Sequence, residues 1–223
     1  MIRGLLFDFD GLLVDTEAAA YGAWQEIYVE HGHELDLFEW HRNVGTLGDP
    51  FDPAVHLEAL LGRELDRKAI HARRLARELE LAEAEELRDG VAEYLEAAKE
   101  RGLAVAVVSS ASERWVLGHL GRLGLEHTWH CVTCANGDES RAKPAPLLYL
   151  EALSALGLEA DEAIAFEDSL HGVRAAKAAG IFTVAVPNPV TASLALDEAD
   201  VVVGSLADLP LERLLARVEA EAA

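Results

Sequence analysis

Basic side chains are scarce in this chain of 223 residues: 19 Lys and Arg stand against 40 Asp and Glu, a formal net charge of −21. Binding to nucleic acid or to an anionic membrane rests on Lys and Arg, so neither partner is expected. Such a surface attracts cations, and binding a phosphate ester would require positive charge concentrated locally, by a metal and a few placed basic residues. Cysteine is scarcer still. With only Cys131 and Cys134, no disulfide framework is expected, and a reduced, cytoplasmic compartment follows. No apolar run reaches the length of a membrane span, and the N-terminal segment lacks the basic and apolar regions of a signal peptide. Fixed-period repeats and low-complexity segments are lacking too, while 51% hydrophobic content is enough to bury a core of one large or two small domains.

What the chain does hold is concentrated near its start. Leu5-Leu6-Phe7 reads as a buried strand, and it stops on two carboxylates, Asp8 and Asp10. In an extended strand residues 8 and 10 point to one face, because side chains alternate. Two aspartates leaving one buried strand repel each other and lose solvation. A cation between them, or a proton on one, makes the pair tolerable. Gly11 permits the sharp turn that follows. A strand end with two solvated acids is the plain alternative, and the rest of the chain argues against it.

After Asp15-Thr16 the periodicity changes from strand to helix. Residues 17–30, 53–61 and 66–87 carry apolar positions at helical spacing, and the loop 43–50 lies between the first two. No strand pattern interrupts the block, so it reads as an all-helical insertion. From Gly90 helix and strand alternate. Strands are expected at 103–108, 129–133, 163–166, 182–186 and 201–203. Helices are expected at 91–101, up to 123, at 146–156, 172–179 and 211–220. Apolar strands separated by helices indicate a parallel sheet covered on both faces. Open sheets of this kind bind ligands beyond the carboxyl ends of their strands, where the polar clusters of this chain fall.

Four clusters meet at that edge: Asp8-Phe9-Asp10, Ser109-Ser110, Arg141 to Pro146, and Glu167-Asp168-Ser169. Carboxylates gathered in one place form a hard oxygen site suited to Mg²⁺. A hydroxyl and a lysine suit the equatorial oxygens of a transferring phosphoryl group. One aspartate can act as nucleophile, and a second, two residues on, can protonate the leaving oxygen and then deprotonate a water. Prolines at 144 and 146 fix the backbone and argue for a positioned Lys143 rather than a surface lysine. Ser109 can cap the next helix and still face an anion, since a helix N-terminus is itself an anion site.

These motifs, in this order, resemble those of the haloacid dehalogenase (HAD) superfamily of phosphohydrolases, in its β-phosphoglucomutase-like branch. The resemblance runs essentially end to end: Asp-x-Asp-Gly-x-Leu-x-Asp-Thr at 8–16, the strand-terminal Ser109, Lys-Pro-x-Pro at 143–146 and Glu-Asp-Ser-x-x-Gly at 167–172. It implies an α/β fold with a doubly wound, Rossmann-like parallel-sheet core of residues 1–15 and 88–223. A helical cap domain, residues 16–87, is inserted after the first strand. By the same resemblance Asp8 is the nucleophile that forms an aspartyl phosphate. Asp10 is the general acid/base and gives its backbone carbonyl to Mg²⁺, Ser109 and Lys143 hold the phosphoryl oxygens, and Glu167 and Asp168 complete the metal site. Gly11, Ser110 and Thr16 are expected at the phosphate, with Asp15 and Thr16 shaping the hinge into the cap. Dehalogenase-like members lack the second acid, so the presence of Asp10 implies phosphoryl transfer.

The mutase of this branch carries a histidine four residues after the Asp-Thr threonine, an arginine in the cap loop, and a lysine and asparagine after the second-motif serine. Here those places hold Ala20, Gly48, Ser112 and Glu113, and Glu113 would repel a second phosphate. The expectation is a Mg²⁺-dependent phosphatase acting on a small phosphorylated metabolite, with sugar phosphates the leading class. A sugar-phosphate mutase and a non-catalytic binding protein on the same fold are the alternatives, and the chain is expected to be a monomer or small homo-oligomer. The segment His127 to Cys134 offers two histidines and two cysteines, but strand alternation puts the cysteines on opposite faces, against a zinc site. The acidic run 78–86 reads as a solvated helix face.

Overall fold

The computed structural model describes residues 1–45 and 51–221. Among these residues six parallel strands form one sheet: β1 (Gly4–Phe7), β2 (Ala104–Ser109), β3 (Cys131–Cys134), β4 (Ala163–Glu167), β5 (Phe182–Ala185) and β6 (Val201–Val202). Their order is β3-β2-β1-β4-β5-β6. β1 lies inside the sheet, with Leu6 opposite Ala106 on one side and Ala165 on the other. Strand order reverses across β1, so the carboxyl ends of β1, β2 and β4 border one crevice.

Alternation gives the sheet two buried faces. Leu5, Phe7, Ile164 and Phe166 join one apolar cluster, with Tyr94 and Leu214; Leu6, Ala106 and Ala165 join the other, with Tyr149 and Ala152. Phe7 stacks on Phe166 with ring centroids 4.7 Å apart, and Tyr94 meets Phe166 edge-on. Each such aromatic pair adds about 0.5–1.5 kcal/mol beyond the area it buries. Helices α5 (Val91–Arg101), α6 (Glu113–Arg122), α7 (Leu147–Leu156), α8 (Leu170–Ala178) and α9 (Leu211–Glu221) accompany the strands. The α/β, Rossmann-like expectation is met.

Between β1 and α5 lie α1 (Thr16–Glu30), α2 (Leu37–Trp40), α3 (Pro53–Leu61) and α4 (Arg67–Ala84). Asp15, Asp52 and Asp66 start three of them, each side chain accepting a backbone N–H of the first turn. α1 packs along α4, and Trp24, Ile27, Tyr28 and Leu57 belong to a separate apolar cluster. Exposed pairs such as Arg77–Glu26, at 3.0 Å, cross the same seam. Pairs of that kind contribute little, so apolar contact carries the packing.

Two local expectations are corrected, and one helix, α2, was not expected. The helix expected over 66–87 stops at Ala84, because Leu87 pairs antiparallel with Val14 and Arg88 N donates to Leu13 O at 3.0 Å. The two crossings between the helical block and the sheet therefore run side by side. β3 begins two residues late: Trp129 packs its ring on Phe7, and the His130 ring accepts the Val105 N–H at 3.1 Å. α2 is a single turn, too short to show a period. Of the loop expected at 43–50, residues 46–50, Gly48 included, lie outside the described residues.

Cys131 and Cys134 are free and belong to opposite faces of the sheet, as alternation requires. Burial pushes both thiols up, Cys134 to about 12, which favours the thiol over the nucleophilic thiolate. Among the described residues no helix is long and apolar enough to cross a membrane.

Candidate active site

β1 ends at Phe7, and the Asp8 amide still donates to Phe166 O at 2.9 Å, which fixes its side chain beside the end of β4. β4 closes on Glu167, followed by Asp168, and β2 closes on Ser109. Lys143 arrives from the loop between β3 and α7. Exposure is only 6% for Asp8, 2% for Lys143, 0% for Glu167 and 1% for Asp168. Lys143 Nζ is bonded to Asp8 Oδ1 and lies 2.7 Å from Glu167 Oε1. One ligand atom from each of Asp8, Glu167 and Asp168 falls within 4.8 Å of the others.

The electrostatics follow from that crowding. Burial pushes the Asp8 carboxyl well above its ordinary range against the pull of Lys143, and the Glu167 and Asp10 charges push the same way. Burial, then the charges of Asp8 and Glu17, do the same to Asp168. Against its own burial, Lys143 is held charged by Asp8 and Glu167. One ammonium does not balance three buried carboxylates, and Glu167 Oε2 is buried with no hydrogen-bond partner. A hard divalent cation fits this donor set.

Residues around the trio hold it in place. Tyr149 donates its phenol to Glu167 Oε1, and Asn188 Nδ2 donates to Asp168 Oδ2 at 2.8 Å. The glycine of Glu-Asp-Ser-x-x-Gly has a spatial reason: a Cβ on Gly172 would lie 1.8 Å from Glu167 Oε2. Gly11 has φ +78°, and a Cβ there would lie 2.2 Å from Asp168 Oδ2. Its carbonyl accepts from Arg88 and, at 3.3 Å, from Asn188. Arg88 also donates to Val186 O and Pro187 O, at 3.0 and 2.8 Å, fastening the return crossing to the sheet edge.

Asp10 stands apart from the trio. Its Oδ1 accepts from Thr16 Oγ1 at 2.7 Å and Trp115 Nε1 at 2.8 Å, and its Oδ2 accepts from Ser109 Oγ at 3.2 Å. Ser109 Oγ also accepts the Ala111 amide at 3.0 Å, and Ser110 Oγ accepts the Lys143 amide at 3.2 Å. A cavity of about 350 Å³ brings Asp8, Asp10, Thr16, Ser110 and Lys143 together with Glu17, Arg74, Glu78 and Trp115. Ser109, Gly11, Glu167 and Asp168 are buried beside it and not on its wall.

Several of these side chains escape sequence reasoning. Glu78, read as part of a solvated face, has a side chain only 15% exposed and lines the cavity. Tyr149 and Asn188 lie three and two residues beyond Pro146 and Val186, in segments where only the motif residues carry a signal. Trp115 sits in the first turn of α6, where an aromatic ordinarily reads as packing. Of the positions that depart from the mutase, Ala20 and Ser112 line the cavity, and Glu113 lies next to Ser112 without lining it.

The family of hydrolases described as haloacid dehalogenase-like hydrolase matches residues 2–180. Among relatives, YhcW of Bacillus subtilis (strain 168), whose name assigns it provisionally to the phosphatases, is 41% identical over 96% of this chain and 97% of its own. The phosphorylated carbohydrates phosphatase of Thermotoga maritima is 31% identical over 81% of this chain and 82% of its own. Among solved structures, CbbY from Rhodobacter sphaeroides in complex with phosphate superposes with a TM-score of 0.73 at 28% identity, covering 96% of this chain and 99% of that one.

Proposed function

The chain belongs to the haloacid dehalogenase-like hydrolases, as a phosphoric monoester hydrolase, and from that premise we propose that it is a Mg²⁺-dependent phosphatase of small sugar phosphates working through an aspartyl phosphate. The observation that carries this is Lys143 bridging Asp8 and Glu167 inside a buried carboxylate trio whose Glu167 Oε2 has no partner.

Asp8, Glu167 and Asp168 would hold the metal through their carboxylates, with the Asp10 carbonyl beside them. When bound, Mg²⁺ supplies positive charge to the phosphoryl oxygens as a Lewis acid. Lys143 and the Ser110 hydroxyl at the cavity wall orient the phosphoryl group, and Ser109 acts through Asp10, its hydroxyl partner. Asp8 attacks phosphorus in line, the phosphorus–oxygen ester bond breaks, and Asp10 delivers its proton to the leaving oxygen. Asp10, now a carboxylate, takes a proton from water as that water attacks the aspartyl phosphate. Inorganic phosphate leaves and Asp8 is restored. Thr16, Ser109 and Trp115 aim the Asp10 carboxylate through both halves of the cycle.

Helices α1–α4 act as a cap over the core, with the cap over residues 16–87 and the core over 1–15 and 88–223. Closing it excludes water and strengthens every electrostatic contact to the phosphoryl group. The pairing of Val14 with Leu87 supports a pivot in which both crossings move together. Ala20 offers the cavity a methyl group and no phosphate ligand, which supports a hydrolase over a mutase. The name of the Thermotoga maritima relative supports a carbohydrate phosphate as substrate. Two free thiols, Cys134 buried and Cys131 half-buried, support a reduced, cytoplasmic setting.

The test is phosphate release from 4-nitrophenyl phosphate and a panel of phosphorylated metabolites, with Mg²⁺ and with excess chelator. Metal-dependent release is expected. Full activity in chelator, or primer-dependent formation of glucose 6-phosphate from β-glucose 1-phosphate faster than phosphate release, overturns it.

A further inference from the structure

The turn after β5 is bonded on two sides at once. Pro187 and Pro189 fix the backbone on either side of Asn188, and Asn188, Val190 and Thr191 are all buried. The Asn188 amide is committed at both ends. Its Oδ1 accepts the Val190 and Thr191 amides at 2.8 and 3.0 Å, which shapes the turn, while its Nδ2 donates to Asp168 Oδ2 and Gly11 O. Two residues on, the same turn belongs to the helical block. Among the described residues, Val190 is the one buried member of the apolar cluster of Trp24, Tyr28 and Leu57 that comes from outside residues 16–87. Its carbonyl accepts from His41 Nε2 at 2.7 Å, at the end of α2. Four residues after His41, the Gly45 backbone lies so close to the sheet edge that a Cβ there would fall 2.2 Å from Ser169 Oγ. The helical block is fastened beside Asp168 as well as at its two crossings.

Resting on the metal site of the phosphatase reading, we propose that His41 and Val190 are positioning residues for that site. Seating the cap on the 188–191 turn fixes Asn188, and Asn188 fixes Asp168, so cap seating and Mg²⁺ binding favour each other. A carbonyl oxygen only accepts, so His41 Nε2 carries the hydrogen, and the bond holds the Val190 peptide in one orientation. That peptide's neighbours are the groups that grip Asn188 Oδ1. The two hydrogens of Asn188 Nδ2 are both spent, on Asp168 and Gly11. A turn that shifts therefore carries the donor away from the carboxylate. Partners that orient a metal ligand matter to affinity nearly as much as the ligand does. The coupling is reciprocal: whatever factor cap seating adds to metal binding, metal binding adds to cap seating.

The experiment is titration calorimetry of Mg²⁺ on the full chain, with the Tm of each variant recorded beside it. Asn188→Ala should weaken Mg²⁺ binding about 10–100-fold, the usual effect of losing a ligand's partner. His41→Ala and Val190→Ala alter the seat of the cap and leave the trio intact. Each should weaken Mg²⁺ binding at least about fivefold, the lower end of typical coupling between distinct sites. His41→Gln, whose Nε2 can donate to the same carbonyl, should recover most of that loss. With Asn188→Ala already in place, His41→Ala should change the affinity by less than about twofold, because the residue it acts through is gone. Should Asn188→Ala fail to fold, amide hydrogen exchange carries the test: Mg²⁺ should slow exchange over residues 37–45 in the wild type and not in His41→Ala. Wild-type Mg²⁺ affinity in His41→Ala or in Val190→Ala, whatever the Tm, overturns the proposal, as does a double variant whose losses simply add. Both outcomes leave the phosphatase reading standing. A wild type that binds no Mg²⁺ removes that reading, and the proposal with it.

Discussion

Trp115 Nε1 donates to Asp10 Oδ1 at 2.8 Å, tying α6 to a carboxylate 105 positions earlier in the chain. An indole N–H can only donate, so this contact fixes where that oxygen points, whereas the Thr16 and Ser109 hydroxyls can rotate to give or take. Trp115→Phe keeps the ring and deletes the donor. With 4-nitrophenyl phosphate, kcat should fall at least about tenfold, about 1.4 kcal/mol of barrier, since a hydrogen bond to a charged group contributes about 1.5–3 kcal/mol. KM should move far less. An unchanged kcat would show that Thr16 and Ser109 suffice to aim Asp10.

Asp8→Asn replaces the carboxylate with an amide of nearly equal shape and almost no nucleophilicity. Turnover should drop by at least about a thousandfold, roughly 4 kcal/mol of barrier, while circular dichroism stays that of the wild type. A loss of tenfold or less would remove Asp8 from the nucleophile's place. Asp10→Asn should be severely impaired as well, because protonation of the leaving group and activation of water both fail.

How much of this was legible beforehand depends on the kind of signal. β1, β2 and β4 are short apolar runs that end on polar residues, so sequence reading both found the strands and located the crevice. α3 and α5 match their expected bounds because Asp52 caps one and Gly102 closes the other. The trio was readable because each member leaves a strand end. The wall residues were not: Arg74 and Glu78 lie one turn apart on an amphipathic helix, where such a pair ordinarily means a solvated face. Only the packing of α4 beside α1 turns them toward Asp8. Asn188 and Arg88 act by long-range bonds to Asp168 and Gly11, and no local pattern announces those.

Metal binding should depend on Tyr149. Its phenol occupies one oxygen of Glu167 and leaves the other, Oε2, without a partner. Tyr149→Phe frees Glu167 to turn, and partners of metal ligands are typically worth about 10–100-fold in affinity. Titration calorimetry should show Mg²⁺ binding weakened by about that factor. Saturating Mg²⁺, at about 100 times its Kd, should stabilise the wild type by about 2.7 kcal/mol and raise its Tm. A variant with wild-type Mg²⁺ affinity would assign Tyr149 to packing alone.

Glu17 should make the metal-free protein less stable as pH rises. Burial, then the charges of Asp10 and Asp8, raise its carboxyl to about 8 in the folded chain against an ordinary 4.5. Between those values the folded state holds a proton that the unfolded state has released, so unfolding sheds a proton and a higher pH favours it. The stabilisation is complete below about pH 4.5 and is lost progressively as pH climbs through about 8. Asp8 and Asp168, both raised, act in the same direction and remain in any Glu17 variant. Glu17→Gln removes only its own contribution, since an amide does not titrate. In chelator, the Tm of Glu17→Gln minus that of the wild type should therefore grow as the buffer moves from about pH 5 to about pH 8.5. A constant difference would mean that Glu17 titrates like a solvated glutamate and that the wall carries less negative charge pressure than its geometry implies.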